Sequence, residues 1–448
     1  MPETPEPPEP PEATEPIGDG RPIGDARGRH PATAHPGFRG PVRTIAVRLG
    51  LATLVGVLAG LAAAAFLAGM RWATEAFVEH RLLLFLLPIG GFAVGLIYHY
   101  VGKGSGAGNN LILDEIHEPQ SWIPRRMAML IFGATIVTHL FGGSAGREGT
   151  SVQMAGSIAD GVARRFGITG AERRVLLVAS IGAGFAGVFG VPFAGAAFAL
   201  EVQPIRHLRW RTVVPAIVAS FVADATVRAT GITHDELPSI DAAHLTPGLL
   251  AKVVVAGIAF GAMSIVFAEA LHRTKAAFRR VLSWPPARPL LGGVLVIVAT
   301  GLVGTRAYLG LSLPLVAASL AGGAGVALGA FLAKTAFTAL TLGSGFYGGE
   351  VTPLFVVGAT LGATMGHLLH APIPLLAALG LVAVFAGASN TPIASTILGV
   401  ELFGWHPKLA VLFALACAVS YVASGSSSIY ESQQRRRWGF RHQAPSPA

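Results

Sequence analysis

Gly146-x-Glu148-x-Thr150 recurs as Gly348-x-Glu350-x-Thr352, and the flanking Gly143 and Gly156 recur as Gly345 and Gly358, all 202 residues apart. Downstream, Phe185-Ala-Gly187, Pro192, Ala194 and Glu201 recur as Phe385-Ala-Gly387, Pro392, Ala394 and Glu401, 200 residues apart. Glycine and alanine are abundant, so single matches mean little. Two ordered constellations at almost one spacing mean that the chain is built from two copies of one unit.

The units are made of apolar runs of helical length. They fall near 43–78, 82–101, 127–142, 148–166, 174–190, 191–203 and 210–230 in the first copy. In the second they fall near 246–281, 289–306, 313–320, 325–343, 350–368, 374–388, 391–404 and 407–423. The chain is 52% hydrophobic and 13% charged, with a mean hydropathy of +0.59. Soluble domains carry about 25% charge, so this is an all-α integral membrane protein. Several runs are too short to cross about 30 Å of hydrocarbon at about 1.5 Å per residue. Short, Gly- or Pro-interrupted segments at matching places in two halves mark the binding site of a transporter, and an inverted repeat brings them together at the midplane. The expected organisation is a disordered Pro-rich tail over 1–42, a membrane part over 43–434 with repeats of about 43–232 and 246–423, and a basic tail over 435–448.

Charge and cysteine narrow the function classes. The net charge of +9 comes from short basic stretches between apolar runs, such as Arg164-Arg165, Arg173-Arg174 and Arg273 to Arg280. That is the positive-inside pattern of cytoplasmic ends rather than a nucleic-acid footprint; the expected location is a bacterial-type inner membrane with both termini in the cytoplasm. The single Cys417 excludes intramolecular disulfides and cysteine-rich metal sites. No His-Glu-x-x-His motif is present and no Gly-x-Ser-x-Gly stands at a strand–helix turn, so neither an enzyme, a metal nor another cofactor is expected.

Chemistry concentrates at three irregular helix starts. Gly143-Ser-Ala-Gly-Arg-Glu-Gly-Thr150 places Glu148 at a glycine-rich helix N-terminus near membrane depth. Ionisable groups there are expensive and functional by default. A helix N-terminus offers unpaired N–H groups and the positive end of the macrodipole, so it binds anions, and Glu148 is the anion held there until another displaces it. Gly343-Ser-Gly-Phe-Tyr-Gly-Gly-Glu-Val-Thr-Pro353 is the second start, with Pro353 suited to a first helical turn and Thr352 supplying a hydroxyl. Gly102-Lys-Gly-Ser-Gly-Ala-Gly-Asn-Asn110 is the third, opening a short segment from Leu111 to Ile116. It is not a phosphate loop, because Lys103 is followed by glycine. Broken helices at membrane depth line a cavity or are buried in protein, and three of them make an anion cradle. His139, one turn before the central motif, is the one histidine that invites a proton role, and Gly56-x-x-x-Gly60 reads as close helix packing.

Gly146-Arg-Glu-Gly149, Gly348-Gly-x-x-x-Pro353, the glycine-rich loop at 104–108 and Ser428-Ile-Tyr430 resemble the CLC family of anion channels and proton-coupled antiporters, over about residues 43–434. The resemblance implies a homodimer in the lipid membrane, with one anion pathway per subunit. It makes Glu148 the gate that blocks the anion route and carries the proton, and Tyr430 a hydroxyl donor from the inner side. Around these, it implies an anion site formed by Ala107, Gly108, Asn109, Gly146, Arg147, Gly149, Thr150, Val351 and Thr352. Departures from the chloride pattern point to the fluoride/proton antiporter branch: Gly108-Asn109, Thr150 after Gly-Arg-Glu-Gly, and Glu350-Val-Thr352 before Pro353. Fluoride is strongly hydrated, so its site must replace water with real donors, and Asn109 and Thr352 bring them. A rival register makes Ser105 the first-loop ligand; the register with Ala107 puts the Asn109-Asn110 pair at the N-cap of the short helix.

Val202 stands where chloride exchangers of this family usually carry an inner proton-relay glutamate. Glu201 and Glu401 read as structural carboxylates accepting backbone N–H bonds at helix ends, with a proton-path role for Glu201 as the alternative. Lys334 either adds positive potential near the site, pairs with a carboxylate, or snorkels to the interface. The expected function is fluoride export in exchange for protons, with fluoride or chloride and protons as the transported partners. A chloride channel or chloride/proton exchanger of the same family is the alternative.

Overall fold

A computed structural model describes residues 41–102, 104–203, 210–234, 237–240 and 244–433. The two expected tails lie outside the described residues, save that Pro41 and Val42 already belong to the first helix. Lys103 also lies outside them, as does most of the basic stretch 206–211.

Among the described residues the chain forms α1 (Pro41–Glu79), a 3-10 turn (Arg81–Leu86), α2 (Leu87–Tyr100), α3 (Asn109–His117), α4 (Arg126–Leu140), α5 (Glu148–Arg165), α6 (Gly170–Phe189), α7 (Pro192–Glu201) and α8 (Trp210–Ala229). A second set follows: α9 (Pro247–Val281), α10 (Ala287–Val303), α11 (Leu313–Leu320), α12 (Ala330–Gly343), α13 (Val351–Leu369), α14 (Ile373–Ser389), α15 (Pro392–Phe403) and α16 (Pro407–Ala423). The expected helix at 82–101 opens as a 3-10 turn. Pro88, in the first turn of α2, has no N–H to close an α-helical bond back to Leu84.

The repeat seen in the sequence reappears as a repeat of packing. α1 lies against α4, α5, α6 and α8, and α9 lies against α12, α13, α14 and α16. α6 packs on α5, α7 and α8 as α14 packs on α13, α15 and α16. The halves meet through α2 with α10, α5 with α13, and α7 with α15. At the last contact each half caps the other. Glu201 accepts the N–H groups of Ile393 (3.0 Å) and Ala394 (2.7 Å), and Glu401 accepts those of Phe193 (3.0 Å) and Ala194 (2.6 Å). Each carboxylate thus satisfies orphan N–H groups at the start of the helix two hundred residues away in sequence.

α6 and α14 are buried along nearly their whole lengths, so they form the interior of the molecule. Around them, α2 and α10 expose apolar side chains such as Ile89, Val298 and Leu302, as a surface bathed in lipid requires. Among the described residues, five segments are long and apolar enough to cross a membrane: Thr44–Glu79, Arg81–Tyr100, Arg211–Ala229, Pro247–Val281 and Val351–Leu369. The last is mostly covered by protein rather than lipid. Gly56 and Gly60 do mark close packing. A Cβ there would stand 2.8 Å from the Ala219 carbonyl and 2.7 Å from that of Ala223, so α1 and α8 touch backbone to backbone.

Candidate anion site

After α4 the chain turns through Gly142 and Gly143 and runs antiparallel, for one bridge, beside the segment that precedes α13. Gly146 N–H donates to the Gly349 carbonyl at 2.6 Å, and Gly349 N–H donates back at 2.8 Å. Neither position has room for a side chain. A Cβ on Gly349 would lie 2.8 Å from the Gly149 nitrogen, and one on Gly146 would lie 2.8 Å from the Glu148 carboxylate. Beyond the bridge α5 begins at Glu148 and α13 at Val351, so the two helix starts open onto one spot.

The Glu148 carboxylate occupies that spot and is wholly buried. Its Oε2 accepts the N–H groups of Arg147 at 3.1 Å and Thr352 at 3.0 Å, while Oε1 accepts the Thr352 hydroxyl. The Arg147 Nε lies 3.7 Å from Oε1. The carboxylate therefore reaches from the start of its own helix onto the start of the helix from the other repeat. Each of these partners is a donor or a cation. A carboxylate held so is in the place of an inorganic anion and competes with it.

The carboxylate borders a cavity lined also by Asn109, Gly149, Val351 and Tyr430, and otherwise by apolar side chains such as Ile112, Val152, Ile181, Phe185, Phe198 and Val202. The Asn109 side-chain oxygen is buried without a hydrogen-bond partner, and its amide nitrogen lies against the start of α5, 3.0 Å from where a Gly149 Cβ would be. Asn109 and Asn110 are the first two residues of α3, not its cap. Gly108, at φ 62°, ends the loop in the left-handed region and is itself the N-cap, which corrects the expectation from the sequence. Asn110 turns away and accepts the Ser432 N–H at 3.2 Å, which ties α3 to the segment carrying Tyr430.

The other end of α3 is anchored by a buried network. Arg173 pairs with Glu115 at 2.9 Å and with Asp160, and its guanidinium lies over the Trp122 ring. Three elements, α3, α5 and α6, are thereby held at one depth.

The remaining sequence candidates fall in different places. Of the first loop only Asn109 lines the cavity; Ser105 is buried outside it with an unpartnered hydroxyl, and Ala107 is exposed. The Thr150 hydroxyl pairs with that of Thr135 at 2.7 Å, behind α5. Both ring nitrogens of His139 face backbone carbonyls, of Thr135 at 2.9 Å and Ala145 at 3.1 Å, and the ring does not line the cavity. Lys334 is fully buried, and among the described residues its partners are hydroxyls and carbonyls, with no carboxylate in ion-pair range. The group that the sequence reading undervalued is Glu350, used there only as a position in the repeat and in the stretch before Pro353. Its Oε2 is buried without a partner, 3.5 Å from where a Cβ on Gly149 would stand. The repeat spacing that pairs it with Glu148 was the available signal.

Known proteins share this architecture. The model of the voltage gated chloride channel family matches residues 90–425. The "Chloride/fluoride channel protein" of Pseudomonas syringae pv. tomato is 45% identical over 409 residues, 90% of this chain and 89% of that one. A solved CLC-type fluoride/proton antiporter superposes with a TM-score of 0.84 at 33% identity, covering 88% of this chain and 99% of the other. A slow cyanobacterial chloride/proton antiporter superposes with a TM-score of 0.72 at 19% identity, covering 86% and 96%; at that identity it speaks for the fold alone. Two packed repeats, helix starts converging on a buried carboxylate, and matches spanning most of the membrane part agree: the chain is a membrane-embedded member of the CLC family of anion channels and transporters.

Proposed function

We propose that this protein is a fluoride/proton antiporter that exports fluoride from the cytoplasm. The observation that carries the reading is the Glu148 carboxylate lying across the start of α13, taking the Thr352 N–H and hydroxyl and the Arg147 N–H. Ionised, Glu148 fills the donor site and excludes the anion. Protonated, it loses its claim on those donors, swings out and carries its proton while fluoride takes them. Thr352, Arg147, Asn109, Gly146, Gly149, Val351 and Tyr430 form the anion route in this reading. A small, strongly hydrated anion gains most from such hard donors. One similar protein is named a chloride/fluoride channel protein and another a fluoride/proton antiporter. The protein works as a homodimer in a bacterial inner membrane, with both termini in the cytoplasm.

Val202 puts an apolar side chain in the cavity wall where chloride exchangers of this family usually carry a second carboxyl, which speaks against an ordinary chloride/proton exchanger and does not decide between a channel and a fluoride antiporter.

The test is efflux of fluoride and chloride from liposomes holding the purified protein, with a pH electrode in the bath. Fluoride efflux far above chloride, coupled to proton uptake and lost in Glu148→Gln, is expected. Equal passage of chloride overturns the fluoride reading, and fast fluoride flux without proton movement makes the protein a channel.

A further inference from the structure

α12 carries Lys334, Thr338 and Thr341, spaced four and three residues apart, so all three share one face of an otherwise apolar helix. That face closes on a single residue of the other repeat, Ser144, which opens the loop leading to Glu148. The Ser144 hydroxyl lies 2.9 Å from Lys334 Nζ and 3.1 Å from the Thr338 hydroxyl, and its N–H donates to the Thr341 hydroxyl at 3.1 Å. Lys334 Nζ also donates to the Gly310 carbonyl at 2.8 Å, the Ser312 hydroxyl at 2.9 Å and the Tyr308 carbonyl at 3.3 Å. Of these residues, Ser312 sits in the left-handed region at φ 58° directly before α11, a conformation that a non-glycine residue keeps only when its surroundings hold it.

An ammonium at 0% exposure with no acid beside it is expensive. Four oxygens around three N–H donors replace its water and explain how it is tolerated, but not why it is there. Packing alone would be served by a methionine. What the charge adds is a rigid link between the gating loop of one repeat and the broken-helix start of α11 in the other.

We propose that Lys334 is a positioning residue for the gate. Through Ser144 it fixes the loop 143–147, so that the Arg147 N–H and the start of α5 stay aimed at the spot where the Glu148 carboxylate and the transported anion alternate. The inference rests on Glu148 being the gate, but not on which halide is carried.

The experiment measures fluoride efflux and proton uptake together in liposomes, for Lys334→Met, Ser144→Ala, Ser144→Thr and Glu148→Gln beside the parent protein. A loop released by about an ångström lowers turnover on the order of tenfold to a hundredfold. It also lets anions pass without the gate, so the proton-to-fluoride ratio falls in Lys334→Met and Ser144→Ala. A purely structural role reduces the amount of folded protein and leaves that ratio untouched. Ser144→Thr keeps the hydroxyl and restores both quantities. An unchanged ratio in Ser144→Ala and Lys334→Met overturns the proposal. Should Lys334→Met fail to fold, Ser144→Ala, which leaves the ammonium and most of its cage, decides alone. If Glu148→Gln itself leaves coupling intact, the gate reading has failed rather than the role of Lys334.

Discussion

The two glycine-rich helix starts share a main chain and differ in almost everything else. Both turn through glycines, both bridge at Gly146 and Gly349, and both aim a helix N-terminus at one spot. The first start sends a carboxylate into that spot. The second offers Thr352 as a donor and keeps its own carboxylate, Glu350, out of hydrogen bonding at Oε2. Their fastenings differ too. Ser144 is gripped by hydroxyls and an ammonium from α12, whereas Phe346, its counterpart 202 residues on, is buried among Leu84, Leu87 and Phe337. Beside it Tyr347 stacks on Tyr98 with centroids 3.7 Å apart. The backbone makes the cradle, and side chains on one copy make the gate. A loop beside a moving group is held by directional bonds; a loop that only donates is held by packing, which is strong but does not prescribe one orientation.

The sharpest way to break this contrast is to remove matching hydroxyls, Thr352 and Thr150. In wild type, losing the Thr352 hydroxyl weakens the ionised gate and the anion alike, and the two effects offset. The comparison belongs in Glu148→Gln, where no carboxylate competes. There Thr352→Val is expected to lose a hydrogen bond to a charged group, about 1.5–3 kcal/mol, read by calorimetry as roughly ten- to a hundredfold weaker fluoride binding. Thr150→Val, whose hydroxyl faces Thr135, should leave fluoride affinity unchanged and reduce stability alone. Equal losses of affinity from both would erase the distinction.

A smaller effect is expected where the repeats are truly reciprocal. Glu201→Gln and Glu401→Gln each remove one charge from a helix start while keeping one acceptor. Each should lower thermal stability by about 1–3 kcal/mol, and by similar amounts, because each carboxylate makes the same pair of bonds. A marked inequality, or a change in proton coupling confined to Glu201→Gln, would revive a proton-path role for that residue. The least effect belongs to Lys275 and Glu431, 2.8 Å apart at the solvent-facing end of α9. The Lys275 ammonium holds the Glu431 carboxyl below its usual range. Its contribution is therefore present above the unfolded carboxylate value, about 4.3, and disappears as pH falls through the lower native one. For a pair this exposed, Glu431→Gln should cost about 1 kcal/mol or less at neutral pH, and progressively less as pH falls through the native value.

Much of this was legible before any coordinates. Apolar runs gave helix limits to within a few residues, because membrane helices need continuous apolar length and the chain marks their ends with Gly, Pro and Arg. Glu148 and Thr352 were legible because glycines, a carboxylate and a hydroxyl at a helix start have few other uses at that depth. The role of Thr150 was not, since one residue along a helix is a hundred degrees around it, and only packing shows that its hydroxyl faces α4. Nor was the Asn109-Asn110 pair, whose two amides separate because Gly108 rather than either asparagine caps α3.

By itself, then, the sequence determined a helical membrane protein of two copies, broken at glycine-rich joints, with a carboxylate in an anion's place. Composition and period settle these, because lipid leaves backbone groups no partner outside the helices. Only the tertiary structure decided that Glu148 lies across the helix of the other repeat, that Glu201 and Glu401 cap one another's neighbours, and that Lys334 faces Ser144 rather than an acid. Each joins residues some two hundred positions apart. Such contacts depend on which face of each helix turns inward, and that is fixed by the packing of all the helices together.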